Sequence, residues 1–262
     1  MALSLEEMFT VVGRETRNKV FGVVPAIVTN NKDDDGHYRV KVRFPWLPNG
    51  GDQNPEESWW CRIATPMAGK ARGFFNLPEV GDEVLVAFEH GDINRPYVIG
   101  MLWNTDDTTT YDNKSQDGKN HIRAFKSRSG HYLEFNDNDK DKKEMVTIKT
   151  KAGAYILIDD TDSAHKIHIQ DQDGKQYMTI DKQGKKITIE STSGDIVIKA
   201  KEKIQLEAKT IEVKSTEASS WEAGKTFDLK ASGNMTLKST GGSGTVESSS
   251  GMTVKGSTVN IN

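Results

Sequence analysis

The stretch that decides the fold begins at residue 187 and reads ITIESTSGDIVIKAKEKIQLEAKTIEV up to residue 213. It repeats a triplet in which two apolar residues flank a polar one, and each triplet is followed by a short polar break. The triplet recurs about every eight residues up to its last copy, Val259/Ile261. Its other apolar members, which we predict to form the core of an assembly, are Ile187, Ile189, Ile196, Ile198, Ile204, Leu206, Ile211, Val213, Phe227, Leu229, Met235, Leu237, Met252 and Val254.

This alternation is typical of a β-strand, because every second side chain of a strand faces the same way. Each unit offers only two apolar side chains on that face, which is too few to bury a core alone. A coil made by one chain needs about 20 residues to close, whereas three chains can each supply one side of every layer. Residues 187–262 are therefore predicted to form an intertwined triple-stranded β-helix, or β-prism, in a homotrimer. A one-chain solenoid with three units per coil is the alternative.

The composition narrows the class of protein. The chain has 262 residues, a net charge of −3 and a hydrophobic content of 35%. The low hydrophobic content suits a thin, solvent-exposed protein better than a compact globular one. The near-balanced charge gives no reason to predict binding to nucleic acid or to an anionic membrane. Cys61 is the single cysteine, so no intrachain disulfide framework exists. The N-terminus lacks a basic start followed by an apolar run, which predicts synthesis in the cytoplasm without a signal peptide.

Residues 1–20 are predicted to hold a short amphipathic helix. Ser4 and Glu7 fit a capping box at its start. One apolar face follows at helical spacing, through Leu5, Met8, Phe9 and Val12. This face either packs on the next domain or docks on a separate partner.

Residues 21–105 are predicted to form a small closed barrel of the OB type. Five strand-like runs cover residues 23–28, 38–44, 59–63, 83–88 and 97–101, and proline and glycine break them apart. Motifs of this region occur in one order along the chain. They are YRVKVRFPW (38–46), SWWCR (58–62), PMAG (66–69), LPEVGDEVLV (77–86), GDINRP (91–96) and IGMLWN (99–104).

This set of motifs resembles the OB-fold core of the VgrG / phage baseplate assembly protein V (tail spike) family. The resemblance implies an all-β homotrimer in which the barrel is followed by a triple-stranded β-helix needle. It implies that the trimer is the central spike of a contractile injection machine. Such a spike is assembled into the baseplate of a phage-like particle, and the spike transiently pierces a target membrane. The resemblance further implies that such a spike can carry an effector protein as cargo.

Two partners follow from the same resemblance. Full-length relatives begin with large hub domains, whereas here the barrel starts about 20 residues from Met1. This predicts a short form that docks on a separate hub protein through Leu5, Met8, Phe9 and Val12. A PAAR-repeat tip protein is expected to cover the last repeat, formed by Val259, Asn260, Ile261 and Asn262.

Residues 106–186 are predicted to be a linker and a neck with loose β-repeats. The linker runs to about residue 120. The apolar pairs that follow are spaced 10 to 13 residues apart and are Leu133/Phe135, Val146/Ile148, Ile156/Ile158, Ile167/Ile169 and Met178/Ile180. We expect the prism to begin here, before its period tightens.

Motifs for chemistry are weak. Asn31, Asp33, Asp35 and Gly36 imitate the start of an EF-hand loop, but the twelfth position, which needs glutamate, is Val42. No nucleophile elbow, zinc-protease motif or P-loop occurs. We therefore expect no cofactor, no metal site and no enzymatic activity.

Two other function classes stay open. An OB barrel can bind single-stranded nucleic acid on aromatic platforms, for which Trp46, Trp59 and Trp60 are the candidates. Residues 20–104 carry eight basic and eleven acidic side chains, which argues against a phosphate backbone as ligand. A receptor-binding or glycan-binding fibre is the other alternative.

Overall fold

The computed structural model describes residues 19–47, 57–112 and 118–261. The chain divides into two units, residues 1–196 and 197–262. The helix predicted around Leu5, Met8, Phe9 and Val12 lies outside the described residues. Within the described ranges the regular structure is β, apart from one 3-10 turn at Glu89–Gly91. None of the helices in that part of the chain could cross a membrane.

A five-stranded barrel opens the first unit. Its strands are β1 (Val23–Asn30), β2 (Lys41–Arg43), β3 (Arg62–Ile63), β6 (Glu83–Phe88) and β7 (Pro96–Met101), and a two-stranded ribbon, β4 (Ala68–Gly69) and β5 (Arg72–Gly73), projects between β3 and β6. The sheet order is β2-β1-β6-β7-β3. A bridge between Val40 and Cys61, with paired N–H···O bonds of 3.1 and 2.7 Å, joins the two ends of this order. The closed five-stranded barrel that the sequence predicts is thus confirmed.

Alternation along each strand fills the barrel. In β6, Val84, Val86 and Phe88 point inward and are buried, while the residues between them face outward. The other side chains of this core are Ala26, Val28, Val40, Val42, Phe44, Cys61 and Val98. The core is small and rich in valine, which suits the tightly curved interior of a small barrel.

Cys61 lies fully inside this core, and burial raises the pKa of its thiol to about 11. A thiolate is the reactive form of cysteine, so we expect the native protein to be inert toward a maleimide at pH 7. Labelling should become complete once the barrel unfolds in urea. Measuring the modified fraction by mass spectrometry against urea concentration checks this. Rapid labelling of the native protein would contradict the buried position.

The rest of the first unit is a seven-stranded antiparallel sheet. Its strands are β8 (Ile122–Lys126), β9 (Tyr132–Asn138), β10 (Lys143–Lys149), β11 (Tyr155–Asp159), β12 (Lys166–Gln170), β13 (Gln176–Asp181) and β14 (Lys186–Ser191). Each strand pairs with the next one along the chain, so the topology is a meander. Tight hairpins make this possible, with left-handed backbone at Gly130, Gly153 and Gly174.

The predicted boundary at residue 187 falls inside β14. Ile187 pairs with Ile180, and Ile189 pairs with Met178, across a hairpin at residues 182–185. These two residues therefore belong to the sheet in the structure rather than to the repeat array. The reason is the four-residue turn, which lets this triplet fold back on its predecessor, whereas the array begins after residue 196.

Contacts between side chains hold the barrel on the first strands of the sheet. The ring of Phe74 in the barrel meets that of Phe125 in β8 edge-to-face at 5.4 Å. Arg128 in the β8–β9 hairpin forms a 2.6 Å ion pair with Glu79 of the barrel. In the connecting segment, the Tyr111 hydroxyl donates to Glu134 Oε2 at 2.6 Å, and burial together with this carboxylate raises the tyrosine pKa. The connection between barrel and sheet is thus packed rather than free.

Candidate functional site

One face of the seven-stranded sheet is apolar from its first strand to its last. The cross-strand partners form two rows perpendicular to the strands. The first row is Phe125, Leu133, Ile148, Ile156, Ile169, Met178 and Ile189. The second row begins with Arg123, which pairs with Asp137, and continues through Phe135, Val146, Ile158, Ile167, Ile180 and Ile187. We call this surface the apolar face.

Apart from the Phe74 ring, which meets Phe125 on the first strand, the described part of the chain leaves the side chains of the apolar face largely exposed. Its isoleucines expose between 38% and 65% of their surface. Fully burying such a side chain is worth about 1.5–3 kcal/mol, so each leaves roughly 1 kcal/mol unused. A contiguous apolar surface of this length marks a contact with another macromolecule.

The opposite face of the same sheet is polar and internally satisfied. The rings of Tyr155, His168 and Tyr177 stand side by side at 5.5 and 5.6 Å. The His168 ring nitrogens lie 2.6 Å from Thr179 Oγ1 and 3.0 Å from Gln170 Oε1. This polar face is compatible with solvent, so the sheet has one hydrophilic face and one hydrophobic face.

The repeat array of the second unit has no packing of its own. Within described residues 197–261 there is no strand, no backbone–backbone hydrogen bond within the chain and no buried side chain. Both members of each triplet are exposed, for example Ile204, Leu206, Ile211 and Val213. An ordered chain must satisfy its backbone polar groups, and within the chain only a few serine side chains supply partners here. The other partners have to come from other chains or from water.

A serine corner recurs in the array. Ser215 Oγ donates to the Ala218 carbonyl at 2.8 Å, Ser239 Oγ to that of Gly242 at 3.0 Å, and Ser248 Oγ to that of Gly251 at 2.8 Å. Each serine follows the second apolar member of a triplet by two residues. The corner holds the break between two triplets in the same local shape.

These corners identify a repeat unit that the sequence interpretation missed. Val246 precedes Ser248 as Leu237 precedes Ser239, so the unit between Met235 and Met252 is Gly244/Val246. Glycine in place of the first apolar member hid the unit from a search for apolar pairs. Serine also stands two residues after Val213 and after Leu237, and this recurrence could have found the unit.

The residues predicted to bind the tip protein are exposed where they are described. Val259 is about half exposed and Ile261 is 91% exposed, while Asn262 lies outside the described residues. Val259 and Ile261 share the alternation of the array. Val259 and Ile261 are thus both apolar and exposed.

The turn that resembles the start of a calcium-binding loop holds the Arg39 guanidinium against its aspartates. The Asp33 carboxylate is almost fully buried and accepts from Arg39 Nε at 2.8 Å and Nη2 at 2.9 Å. Asp35 also accepts from Arg39 Nη2. A cation would compete with this guanidinium. No group of three or more His, Cys, Asp or Glu side chains suited to a metal occurs among residues 19–47, 57–112 and 118–261.

This pair makes the barrel sensitive to acid. Hydrogen bonds from Arg39 hold the pKa of Asp33 well below its ordinary value of 3.8. The stabilisation is complete above about pH 4 and is lost as the pH falls toward the lowered pKa. We expect Asp33→Asn to lower the midpoint temperature of unfolding of the barrel, followed by tryptophan fluorescence, at pH 7, with the difference from wild type shrinking below pH 4.

Asp34→Asn is the matched control, because the Asp34 side chain is 83% exposed and has only a loose partner, Lys32. It should leave that temperature unchanged at both pH values. Equal effects of the two substitutions would contradict a special role for the Asp33–Arg39 pair.

The tryptophans proposed as nucleic-acid platforms are engaged elsewhere. Trp59 donates its indole N–H to Asn94 Oδ1 at 3.0 Å. The Trp60 ring is covered by Arg39 at 5.5 Å and Lys41 at 5.3 Å. The Trp46 ring leans on Phe44. The covered ring of Trp60 is unsuited to stacking bases, which weakens the nucleic-acid alternative.

Comparison with known proteins identifies the barrel. Residues 24–103 match the family model of the Type VI secretion system/phage-baseplate injector OB domain. The match confirms both the OB type of barrel and the family resemblance that the motifs predict.

Curated relatives extend the similarity into the sheet. The chain is 29% identical over 151 residues to the Type VI secretion system spike protein VgrG1c of Pseudomonas aeruginosa, which covers 55% of this chain and 21% of that protein. It is 36% identical over 100 residues to VgrG5 of the same organism, covering 37% and 12%. It is 29% identical over 140 residues to the actin cross-linking toxin VgrG1 of Vibrio cholerae, covering 52% and 12%. The matched part is about a fifth or less of each relative.

Proposed function

We propose that this chain, whose barrel matches the family model of the injector OB domain, forms as a homotrimer the central spike of a contractile injection machine. The observation that carries the proposal is the apolar face. On one side only, one row of apolar side chains runs across all seven strands and a second runs across the last six. Three such faces turned toward a common axis cover one another.

The repeat array supports the same arrangement. Alone, described residues 197–261 form no strand and bury no side chain. Two identical neighbours that supply the other sides of each layer would let these residues pair as strands and bury their apolar side chains. Interlocked chains must separate together, which gives a high barrier to unfolding. This is the mechanical property that a needle driven through an envelope requires.

The spike has two further partners in this proposal. A separate hub protein binds the N-terminal segment with Leu5, Met8, Phe9 and Val12, and a PAAR-repeat tip protein covers Val259, Asn260, Ile261 and Asn262. The assembled particle carries the spike, and any effector, to a target membrane. No enzymatic step belongs to this role. The toxin activity in the name of one relative belongs to that relative, of which the match covers 12%.

Light scattering on the purified chain tests the central claim. We expect the mass of a trimer in native buffer. On an SDS gel the unboiled sample should still run as a trimer, and boiling should reduce it to the 29.1 kDa monomer. A folded monomer of that mass in native buffer would reject the spike. A shift with single-stranded DNA that weakens with salt would favour the nucleic-acid alternative instead.

The tip is tested separately, by a pull-down with a PAAR-repeat protein. Val259→Ser combined with Ile261→Ser should abolish capture, whereas Asn260→Ser, at the polar position between them, should not. Capture that survives the double substitution would reject this docking site and leave the trimer untouched.

A further inference from the structure

A cleft opens where the barrel, the connecting segment and the first strand of the sheet meet. Its volume is about 610 Å³, which is within the range of sites that bind small ligands. One wall follows residues 101–103 at the end of β7, and the other follows residues 124–128 of β8 and its hairpin. β8 is the outermost strand of the sheet, so no further strand of the described chain fills this space. We call it the β8 cleft.

A tryptophan ring lies exposed in the wall of the β8 cleft. Trp103 lines the cleft and exposes 78% of its surface. The ring of Trp60 in the barrel is covered by two cations, whereas that of Trp103 is open to solvent. An indole ring gains free energy when a ligand covers it, so Trp103 offers a stacking surface in a concave wall.

The turn after Trp103 is held in one shape by Asn104. The Asn104 Oδ1 accepts from the backbone N–H groups of Asp106 and Asp107 at 2.9 and 2.6 Å. Its Nδ2 donates to Glu83 Oε2 at 2.9 Å, which ties the turn to β6. The ring of Trp103 is therefore attached to a fixed turn. A wall that is already ordered lowers the entropy cost of binding a ligand.

Hydroxyl groups and a lysine line the cleft beside this ring. Residues 108–110 are three threonines that follow the turn, and Ser127 lies in the opposite wall, after β8. Lys126 Nζ donates to Thr110 Oγ1 at 3.2 Å. Because a lysine ammonium has three donors, it can donate to an oxygen of a ligand as well. These groups suit a ligand that itself carries many hydroxyl groups.

The lining of the cleft is positively charged. Lys126 and Arg128 belong to it, and no carboxylate of the described residues does, since Asp106 and Asp107 of the turn lie outside the lining. Arg128 forms an ion pair with Glu79, but its side chain is 83% exposed and a guanidinium has five donors. Two cations in a concave wall favour an anionic ligand.

We propose that the β8 cleft binds an acidic oligosaccharide, with a sugar ring on Trp103 and a carboxylate or phosphate of the sugar on Lys126 and Arg128. A sugar ring presents a face of C–H groups to the indole, and its hydroxyls bond to the threonines. The lining chemistry assigns this ligand, whatever the number of chains in the assembly. The site adds a ligand to the spike and does not replace the piercing role.

Isothermal titration calorimetry of the full-length protein tests the site with two acidic probes. Trigalacturonic acid carries carboxylates, and mannose 6-phosphate carries a phosphate. We expect at least one of them to bind, with an affinity that falls as salt is added, and the probe that binds identifies the anion. Neutral maltotriose should bind at least about tenfold more weakly. Failure of both acidic probes, or equal binding of maltotriose, would overturn the proposal.

Substitutions locate the binding. Trp103→Ala and Lys126→Gln should each weaken the acidic probe at least about tenfold, because one removes the stacking ring and the other a charged donor. Trp59→Ala and Lys32→Gln are the matched controls, since both side chains are exposed on the barrel and neither lines the cleft.

The outcomes separate this site from the spike. Equal affinities of the cleft variants and the controls would place the binding elsewhere and overturn the proposal, while the spike would stand. Light scattering on the same samples reports the assembly independently. A monomer that binds the acidic probe through Trp103 and Lys126 would reject the spike and support the site.

Discussion

Replacing Ile158 with aspartate is expected to abolish the trimer that resists SDS. Ile158 lies in the middle of the second apolar row, between Val146 and Ile167. In the assembled spike its three copies face a dry axis, and each unpaired buried charge costs about 3–5 kcal/mol, or roughly 10 kcal/mol for the three. In a lone chain the same side chain is 45% exposed, so the substitution would cost only about 1–2 kcal/mol.

Leu157→Asp provides the matched control. Leu157 is the neighbouring residue of the same strand and is equally apolar, but it lies on the polar face opposite Thr147 and His168. We expect this variant to remain a trimer by light scattering and by unboiled SDS gel. If both variants were trimers, or if both fell apart, the apolar face would not be the surface on which the chains meet.

The second large effect is expected in hydrogen exchange. Described residues 197–261 form no backbone–backbone hydrogen bond within the chain, so a lone chain would exchange nearly all of these amides at the rate of an unfolded peptide. In an intertwined trimer the amides of the strands bond to neighbouring chains. We expect them to exchange slower by a factor on the order of 10⁴ or more. Mass spectrometry of peptides covering residues 204–237 measures this directly.

Leu206→Lys should remove that protection around its own layer, because three lysines would meet where three leucines pack. Gln205→Lys, one residue earlier at the polar position of the same triplet, should preserve it. Fast exchange throughout the array of the wild-type protein would contradict the triple-stranded needle, whatever the mass of the particle.

Much of the barrel could be predicted from residue patterns. The run at residues 83–88 alternates so regularly that its predicted bounds equal those of β6, Glu83–Phe88. The runs at residues 38–44 and 59–63 overestimate β2 and β3, which keep only three and two residues as regular strand. Of the residues left out, Val40 and Cys61 pair as an isolated bridge. Barrel closure sets such ends, and closure depends on residues far apart in sequence.

The sheet shows where the pattern was insufficient. The pairs from Leu133/Phe135 to Met178/Ile180 were predicted as loose repeats of a neck, because their spacing of 10 to 13 residues resembles no regular period. Hairpins of different length absorb this variation while the register keeps every pair in the same two rows. The apolar face is therefore regular in space although its spacing along the chain is not.

The sequence by itself determined that this protein is β-structured and that its apolar residues alternate with polar ones. Alternation is a local property of the strand, and it can be read wherever two apolar residues flank a polar one. Only the tertiary structure decided that Ile187 and Ile189 close a seven-stranded sheet, that Arg39 occupies the acidic turn, and that Phe74 joins the barrel to the apolar rows. These arrangements depend on hairpin geometry, on barrel closure and on the contact of distant side chains, which no short-range pattern encodes.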